Sequence, residues 1–395
     1  MIRLSYRSKR FFRDLEAFFA PDPENQRISG VVADILKEVR NRGDEAVLEY
    51  TRKFDGYSGT ARELRIPPEQ LARAPDSLNS SQRRCIREAI RCVREFHRRG
   101  LPRDWMGRNP HGARVGEKWY PISRVGIYIP AGSVPLVSTV VMTTTLARLA
   151  GVPSIAVFSP AGPDGRISSP MLAGLHLCGI EEVYRVGGAQ AIGAMAYGTA
   201  TIPAVKKIMG PGNAYVAEAQ RQVFGTVGID LLPGPSEALV VADHSAHPAY
   251  VAADLLAQAE HGSGRERITL VHMDRAFSKR VEAEAEALMG RLKHAPAIRR
   301  IWEERTCFIE VPGLPEAIDV AQRLAPEHLE LHVEADAYPA CLEGIHTAGA
   351  ILCGHDTPTV VGDFTAGPSH TLPTALTGHF YSGLKITDFM RRSSV

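Results

Sequence analysis

Hydrophobic positions in the first hundred residues recur at helical spacing. Val31, Val32, Ile35, Leu36 and Val39 form one stripe, and Ala46, Val47, Tyr50 and Phe54 form a second after Gly43-Asp44. A third run, Ser77 to Arg99, sets Ile86, Ala89, Ile90, Val93 and Phe96 against Arg83, Arg84, Arg87, Arg91, Arg94 and Arg98. Such an arginine row reads first as a solvated helix face.

The period changes at Arg124. Val125 to Ile129 is a short apolar run closed by Pro130-Ala131-Gly132 and predicts a strand. Ser138 to Ala150, rich in small and β-branched residues, predicts a buried helix. Strands at Ile155 to Phe158, Val183 to Val186 and Lys206 to Met209 then alternate with helices at Pro170 to Cys178, Ala191 to Tyr197 and Asn213 to Val223. A second series has strands at Ala238 to Ala242, Ile268 to His272, Phe308 to Val311, Leu329 to Val333 and Ala350 to Cys353. Its helices are Tyr250 to Ala259, Ala276 to Leu292 and Ala335 to Glu343. This alternation predicts βαβ units and parallel sheets. Two series predict two doubly wound, Rossmann-like α/β domains meeting near Pro233 to Glu237, where a cleft is expected.

Composition narrows the class. Of 395 residues, 44% are hydrophobic and 23% charged, which is globular and ample for a buried core. A net charge of +2 implies no general affinity for nucleic acid or membrane. No apolar run approaches the roughly 20 residues of a membrane span, and the N-terminus lacks a secretory pattern. The six cysteines form no Cys-x-x-Cys and read as buried free thiols of a reducing compartment.

Three turns rich in Gly and Pro sit at strand ends: Pro130-Ala131-Gly132-Ser133, Gly187-Gly188-Ala189-Gln190 and Gly210-Pro211-Gly212-Asn213. Each precedes a helix N-terminus, whose free N–H groups suit phosphate. One such turn is merely a turn; three in one domain suggest a nucleotide or another phosphate ligand. The Gly-x-Gly-x-x-Gly fingerprint is absent, so these residues alone do not establish a nicotinamide cofactor.

Polar pairs interrupt the second series. Gln258 and His261 lie three residues apart at a helix end that Gly262 closes, so they share a face that could grip zinc. Alone, such a pair reads first as polar surface. Glu327-His328, after Pro326, sets a carboxylate beside an imidazole that can take a proton from an alcohol or water. Adjacent residues face apart in regular structure, so this pair requires a loop. Asp363 follows the last strand, offering a hard oxygen to a metal or a plain turn cap. His370 lies close by in sequence, and Ser236 offers a hydroxyl at the expected cleft.

Together these segments resemble one family, histidinol dehydrogenase. The matching blocks are VGIYIPAG from Val125, VGGAQAIGAMAYGT from Val186, GPGNAYV from Gly210, GPSEALVVAD from Gly234, LLAQAEHG from Leu255, APEHLEL from Ala325 and GDFTAGPSHTLPT from Gly362. The resemblance covers the chain from about Val31 onward. It implies a cytoplasmic homodimer with one Zn2+ per subunit, oxidising L-histidinol to L-histidine in two successive hydride transfers to NAD. Carried over by position, Gln258, His261 and Asp363 match zinc ligands, and Glu327 and His328 match the catalytic pair. Ser236 and His370, with Gln258, His261, His328 and Asp363, match substrate contacts. Tyr128, Gln190 and Asn213 match NAD contacts.

The resemblance also implies a division of the chain. An N-terminal helical arm covers 1–21. A first α/β domain, carrying the metal and catalytic residues, joins 22–124 to 238–384. A second, binding NAD, covers 125–237, and 385–395 begin a C-terminal tail. Two departures stand out. Ala131 replaces a common second glycine. The family's helical tail, which brings a glutamate and the fourth zinc ligand from the partner subunit, has no counterpart before Val395. Two other readings follow: a dehydrogenase of another small hydroxy compound, or a silent homologue that has lost its tail.

Overall fold

The computed structural model describes residues 1–20, 25–130, 135–162, 164–232 and 234–395, with backbone alone at 25 and 26. The chain divides into two compact units. One comprises Met1–Asp22, Pro233–Val361 and Leu372–Gly383; the other comprises Pro23–Leu232, Gly362–Thr371 and Leu384–Val395.

The first unit is built on a six-stranded sheet whose paired strands all run parallel. In spatial order these are Ile2–Ser5, Thr306–Glu310, Arg267–His272, Glu237–Ala242, His328–His332 and Ala350–Cys353. Counted from Glu237–Ala242, the order is 3-2-1-4-5, with Ile2–Ser5 added at the edge. Chain direction therefore reverses between Glu237–Ala242 and His328–His332. Both strands are buried throughout, as expected of a parallel sheet covered on two faces. Helices Pro248–Ala259, Arg275–Met289 and Ala295–Glu304 cover one face through Leu255, Val281 and Trp302. Helices Phe11–Phe19 and Leu314–Leu324 cover the other through Phe11, Leu15 and Val320. The expected N-terminal helical arm thus begins with an edge strand.

The second unit repeats the plan with five parallel strands. Their order is Glu182–Tyr184, Ser154–Phe158, Arg124–Tyr128, Lys207–Met209 and Gly228–Ile229, again 3-2-1-4-5. Residues 23–124, expected with the metal and catalytic domain, belong to this unit instead. The reason is packing. Val32, Leu36 and Val39 of helix Asn25–Arg42 share a core with Ile192 and Met195 of helix Gly188–Tyr197. A methyl group on Gly193 would lie 3.1 Å from Val39, so this glycine permits the close approach. Ile90 and Val93 of helix Ser80–Arg98 close the opposite face against Val140 and Leu146. The arginine row on that helix is largely exposed, the solvated face that its pattern suggests.

A small antiparallel sheet, Met390–Ser394, Arg114–Pro121 and Trp105–Arg108, completes the unit. The segment expected to begin a tail is therefore a 3-10 turn, Ile386–Phe389, followed by a strand. Among the described residues, no helix is long and apolar enough to cross a membrane.

One ion pair pins the central strand of the five-stranded sheet. Arg124 donates to both carboxylate oxygens of Glu182, at 2.8 and 2.6 Å, and Tyr184 donates to the same carboxylate. Burial pushes the Glu182 carboxyl up, but these hydrogen bonds and the Arg124 charge outweigh it and hold it below its ordinary value. Its contribution to stability is thus present above the unfolded carboxylate range and lost as pH falls through the lower folded value. Glu182→Ala strands a guanidinium in a largely dry site. The expected cost is about 2–4 kcal/mol, below the full figure for a buried pair because both groups keep some exposure. Urea melts at neutral and acidic pH check this: the penalty shrinks in acid.

Candidate functional site

In the five-stranded unit, chain direction reverses between Arg124–Tyr128 and Lys207–Met209, where doubly wound sheets bind ligands at the strands' carboxyl ends. Two of the three glycine turns meet there; Ala131, Gly132 and Ser133 of the first lie outside the described residues. The buried Tyr128 hydroxyl accepts a hydrogen bond from the Gly188 N–H at 3.1 Å. Gly210 has φ +102, and a methyl group on it would meet the Tyr128 carbonyl oxygen at 2.3 Å, so only glycine fits. Asp230 accepts from the Gly210 N–H at 2.8 Å, and the Asp55 carboxyl lies by the Gly187 N–H, which favours its charged form. Burial pushes each of these carboxyls up to about 6. Both turns are thus anchored by acidic side chains.

Gln190, in the first turn of helix Gly188–Tyr197, is fully buried, yet neither amide atom has a hydrogen-bond partner among the described residues. Buried amides are normally satisfied, so this one is suited to a ligand. Asn213 serves the fold directly. Its side-chain carbonyl oxygen caps helix Ala214–Val223 by accepting from the Tyr215 and Val216 N–H groups.

In the six-stranded unit, helix Leu314–Leu324 ends on Ala325 in the left-handed conformation, φ 42. Pro326 and Glu327 then lead into strand His328–His332, supplying the loop that the pair requires. Both side chains are buried at the amino end of that strand, beside the start of Glu237–Ala242. Glu327 Oε2 accepts from the Glu237 N–H at 2.8 Å and lies 3.7 Å from His328 Nδ1. His328 Nδ1 is 3.3 Å from the Glu237 carbonyl oxygen. Donation along that line fixes the tautomer and makes Nε2 the basic nitrogen. A single residue, Glu237, thereby positions both groups through its backbone. Its carboxylate is held in turn by the Ala375 N–H at 3.2 Å and Arg267 at 3.4 Å, while burial pushes the carboxyl up. Ala375 and Leu376 both have positive φ, 53 and 66, an uncommon backbone strain beside a functional pair.

Gln258 and His261 lie in the same unit. Helix Pro248–Ala259 ends just past Gln258, and the His261 N–H donates to the Gln258 carbonyl at 3.2 Å, carrying the turn one step further. Gly262, at φ +99, ends it as the sequence suggests. Gln258 is buried and His261 is exposed. Ser236 precedes Glu237 and accepts from the Arg267 N–H through its carbonyl at 3.0 Å. Asp363 and His370 belong to the five-stranded unit, where His370 Nδ1 is 3.2 Å from Asp363 Oδ1 and Nε2 is 3.3 Å from Thr139 Oγ1. The imidazole and oxygen donors of Gln258, His261 and Asp363 are of the type that zinc accepts.

Sequence reasoning missed Glu237, Asp55 and Asp230, whose partners are backbone groups distant in the chain. It also missed Asp254, Glu330 and His332, which the fold gathers in the six-stranded unit. For the last two a signal existed: in His328-Leu329-Glu330-Leu331-His332, three polar residues alternate along a strand that is otherwise apolar.

Two doubly wound sheets, one with anchored glycine turns and the other with a buried Glu–His pair on a shared backbone clamp, define an α/β protein of the Rossmann-like class. The chain belongs to the histidinol dehydrogenase family, whose model matches residues 20–395. It is 43% identical to the histidinol dehydrogenase of Rhizobium meliloti (strain 1021), covering 100% of this chain and 90% of that protein. With that of Gluconobacter oxydans (strain 621H) it shares 42% identity, over 100% of this chain and 91% of that one. The crystal structure of histidinol dehydrogenase from Elizabethkingia anophelis superposes with a TM-score of 0.94 at 31% identity, covering 100% of this chain and 90% of that one. The protein is accordingly an oxidoreductase.

Proposed function

We propose that this protein oxidises L-histidinol to L-histidine in two successive hydride transfers to NAD, as a zinc-dependent homodimer of the cytoplasm. The observation that carries the chemistry is the Glu327–His328 pair, buried and held by the Glu237 backbone. Family membership supplies the substrate. His328 Nε2 takes the alcohol proton as hydride leaves for the nicotinamide. Glu327 and His328 then draw a proton from the water that adds to the aldehyde-level carbon, and the hydrate yields the second hydride. Zinc, when bound, orients the substrate's imidazole and amine. Its ligands are Gln258, His261 and Asp363, on the match of their motifs, with Ser236 and His370 as substrate contacts.

NAD binding is assigned to the glycine turns of the five-stranded sheet. Tyr128 holds the Gly188 turn, Asn213 sets the N-terminus of its helix, and the unpartnered Gln190 amide is free to bond the cofactor. Gln190→Ala is expected to raise KM for NAD about 5–50-fold with a smaller change in kcat, as for loss of one buried hydrogen bond.

The deciding experiment follows NADH formation from L-histidinol with zinc present. Two NADH per histidinol consumed is expected. Absence of NADH from a zinc-loaded sample, while the chain still binds NAD, overturns the reading. Prolonged chelation should abolish turnover, and added zinc should restore it; an enzyme fully active without metal refutes the zinc assignment.

A further inference from the structure

The two sheets share one strand order, yet the residues so far assigned use opposite ends of them. In the five-stranded sheet the glycine turns sit at the carboxyl ends, by the reversal of chain direction. In the six-stranded sheet Glu327 and His328 sit at the amino end of their strand. The carboxyl ends of Glu237–Ala242 and His328–His332, where a doubly wound sheet holds its ligand, have no assigned role.

A convergent set of donors occupies that place. Glu330 and His332 share one face of strand His328–His332, and Asp254 projects toward them from helix Pro248–Ala259. His332 Nε2 lies 3.3 Å from Asp254 Oδ2 and 3.4 Å from Glu330 Oε2. The His332 side chain is wholly buried and Glu330 is 1% exposed. Beyond these ion-pair contacts, neither His332 Nε2 nor Glu330 Oε2 has a hydrogen-bond partner among the described residues. The other Glu330 oxygen is turned away, accepting from the Thr359 N–H at 2.8 Å and from the Thr359 hydroxyl. Thr359 thus aims Oε2 at the imidazole, as the hydrogen-bonding groups behind a metal ligand commonly orient it.

The spacing fits an ion better than an ion pair. Zinc held at about 2.0–2.1 Å by nitrogen and oxygen at a tetrahedral angle separates its ligand atoms by roughly 3.4 Å. A direct charge-assisted hydrogen bond would close to about 2.7–2.9 Å. His355 lies beside the cluster, its ring centroid 5.7 Å from that of His332, and its buried Nδ1 has no hydrogen-bond partner among the described residues.

We propose that Asp254, Glu330 and His332 form a second divalent-cation site, of zinc-like donor chemistry, distinct from the one assigned to Gln258, His261 and Asp363. Asp254 lies one helical turn before Gln258, and His332 lies four residues along the strand from His328 on the same face. An ion there clamps the helix that carries Gln258 to the strand that carries His328. Its role is positioning.

The test uses the full chain, stripped by chelation and reloaded with zinc alone, with metal counted by mass spectrometry after gel filtration. His332→Asn and Asp254→Asn are each expected to lose one zinc per chain relative to the unaltered protein. In a His261→Asn background one zinc remains, and adding His332→Asn removes it. If the site at His261 binds nothing, His261→Asn leaves the count unchanged while His332→Asn still lowers it by one. The two assignments therefore fail separately. Cobalt gives a readout without altering any proposed ligand of this site. One equivalent added to the His261→Asn chain should develop the intense visible absorption of a tetrahedral nitrogen–oxygen site. Unchanged zinc content in folded His332→Asn and Asp254→Asn chains, or no cobalt band in His261→Asn, overturns the proposal and leaves a dry ion-pair triad with a protonated His332.

Discussion

A His328→Asn chain is expected to lose histidinol-dependent NADH formation by about 10²–10⁴-fold in kcat, with little change in KM. The choice of asparagine follows from the geometry. Its amide can still donate to the Glu237 carbonyl oxygen that lies 3.3 Å from His328 Nδ1, so the side chain keeps its place at the start of the strand. What it cannot do is accept a proton on the far side. The loss should therefore fall on chemistry rather than on binding or folding, and the melting temperature should stay near that of the unaltered chain. The loss should appear with histidinol and with the corresponding aldehyde, because the same nitrogen serves both half-reactions. A kcat within about tenfold of the unaltered chain would place the proton elsewhere.

The neighbourhood of His328 shows what a sequence can and cannot disclose. The Glu327–His328 pair and its need for a loop were legible, because a proline and a strand boundary are local features. Glu237, which clamps both, was not. Its contacts to Glu327 and His328 cross about ninety residues through backbone atoms, and backbone atoms leave no mark on residue type. The glycine turns were legible for a similar local reason. That Asp55 and Asp230 anchor them was hidden, since each is a lone acidic residue until the fold brings a backbone N–H against it.

Element type was read well wherever periodicity was strong. Strand Ala350–Cys353 and helix Val137–Leu149 fall within a residue of expectation. Elements that were missed lacked a local signature. Ile2–Ser5 takes its place by pairing with Thr306–Glu310, about three hundred residues away. Trp105–Arg108 is exposed along its length, so no alternation marks it. Domain membership was harder still. The stripe Val32, Leu36, Val39 says that a helix has an apolar face but not which sheet receives it. The partner is set by matching shapes, here the small residues of helix Gly188–Tyr197 that let Val39 come close.

Glu327→Gln is expected to separate the two half-reactions. Glutamine is nearly isosteric, and its carbonyl oxygen can accept the Glu237 N–H bond that Glu327 Oε2 accepts at 2.8 Å. The substitution removes the negative charge while keeping the clamp. Alcohol oxidation needs one base, and His328 supplies it. Addition of water to the aldehyde-level carbon needs proton removal from a poor nucleophile, and the carboxylate shares that step. The second half-reaction should therefore fall by about 10²–10³-fold, and the first by less than about tenfold. In stopped-flow measurements the variant should release close to one NADH per active site in a fast phase, followed by a slow steady state. The unaltered chain should instead proceed to two without a break. With the aldehyde supplied directly, the variant should show the full defect from the first turnover. Equal loss in both half-reactions would mean that Glu327 acts only by orienting His328. Its carboxylate, 3.7 Å from Nδ1, would then be an electrostatic support for the imidazole rather than a partner in activating water.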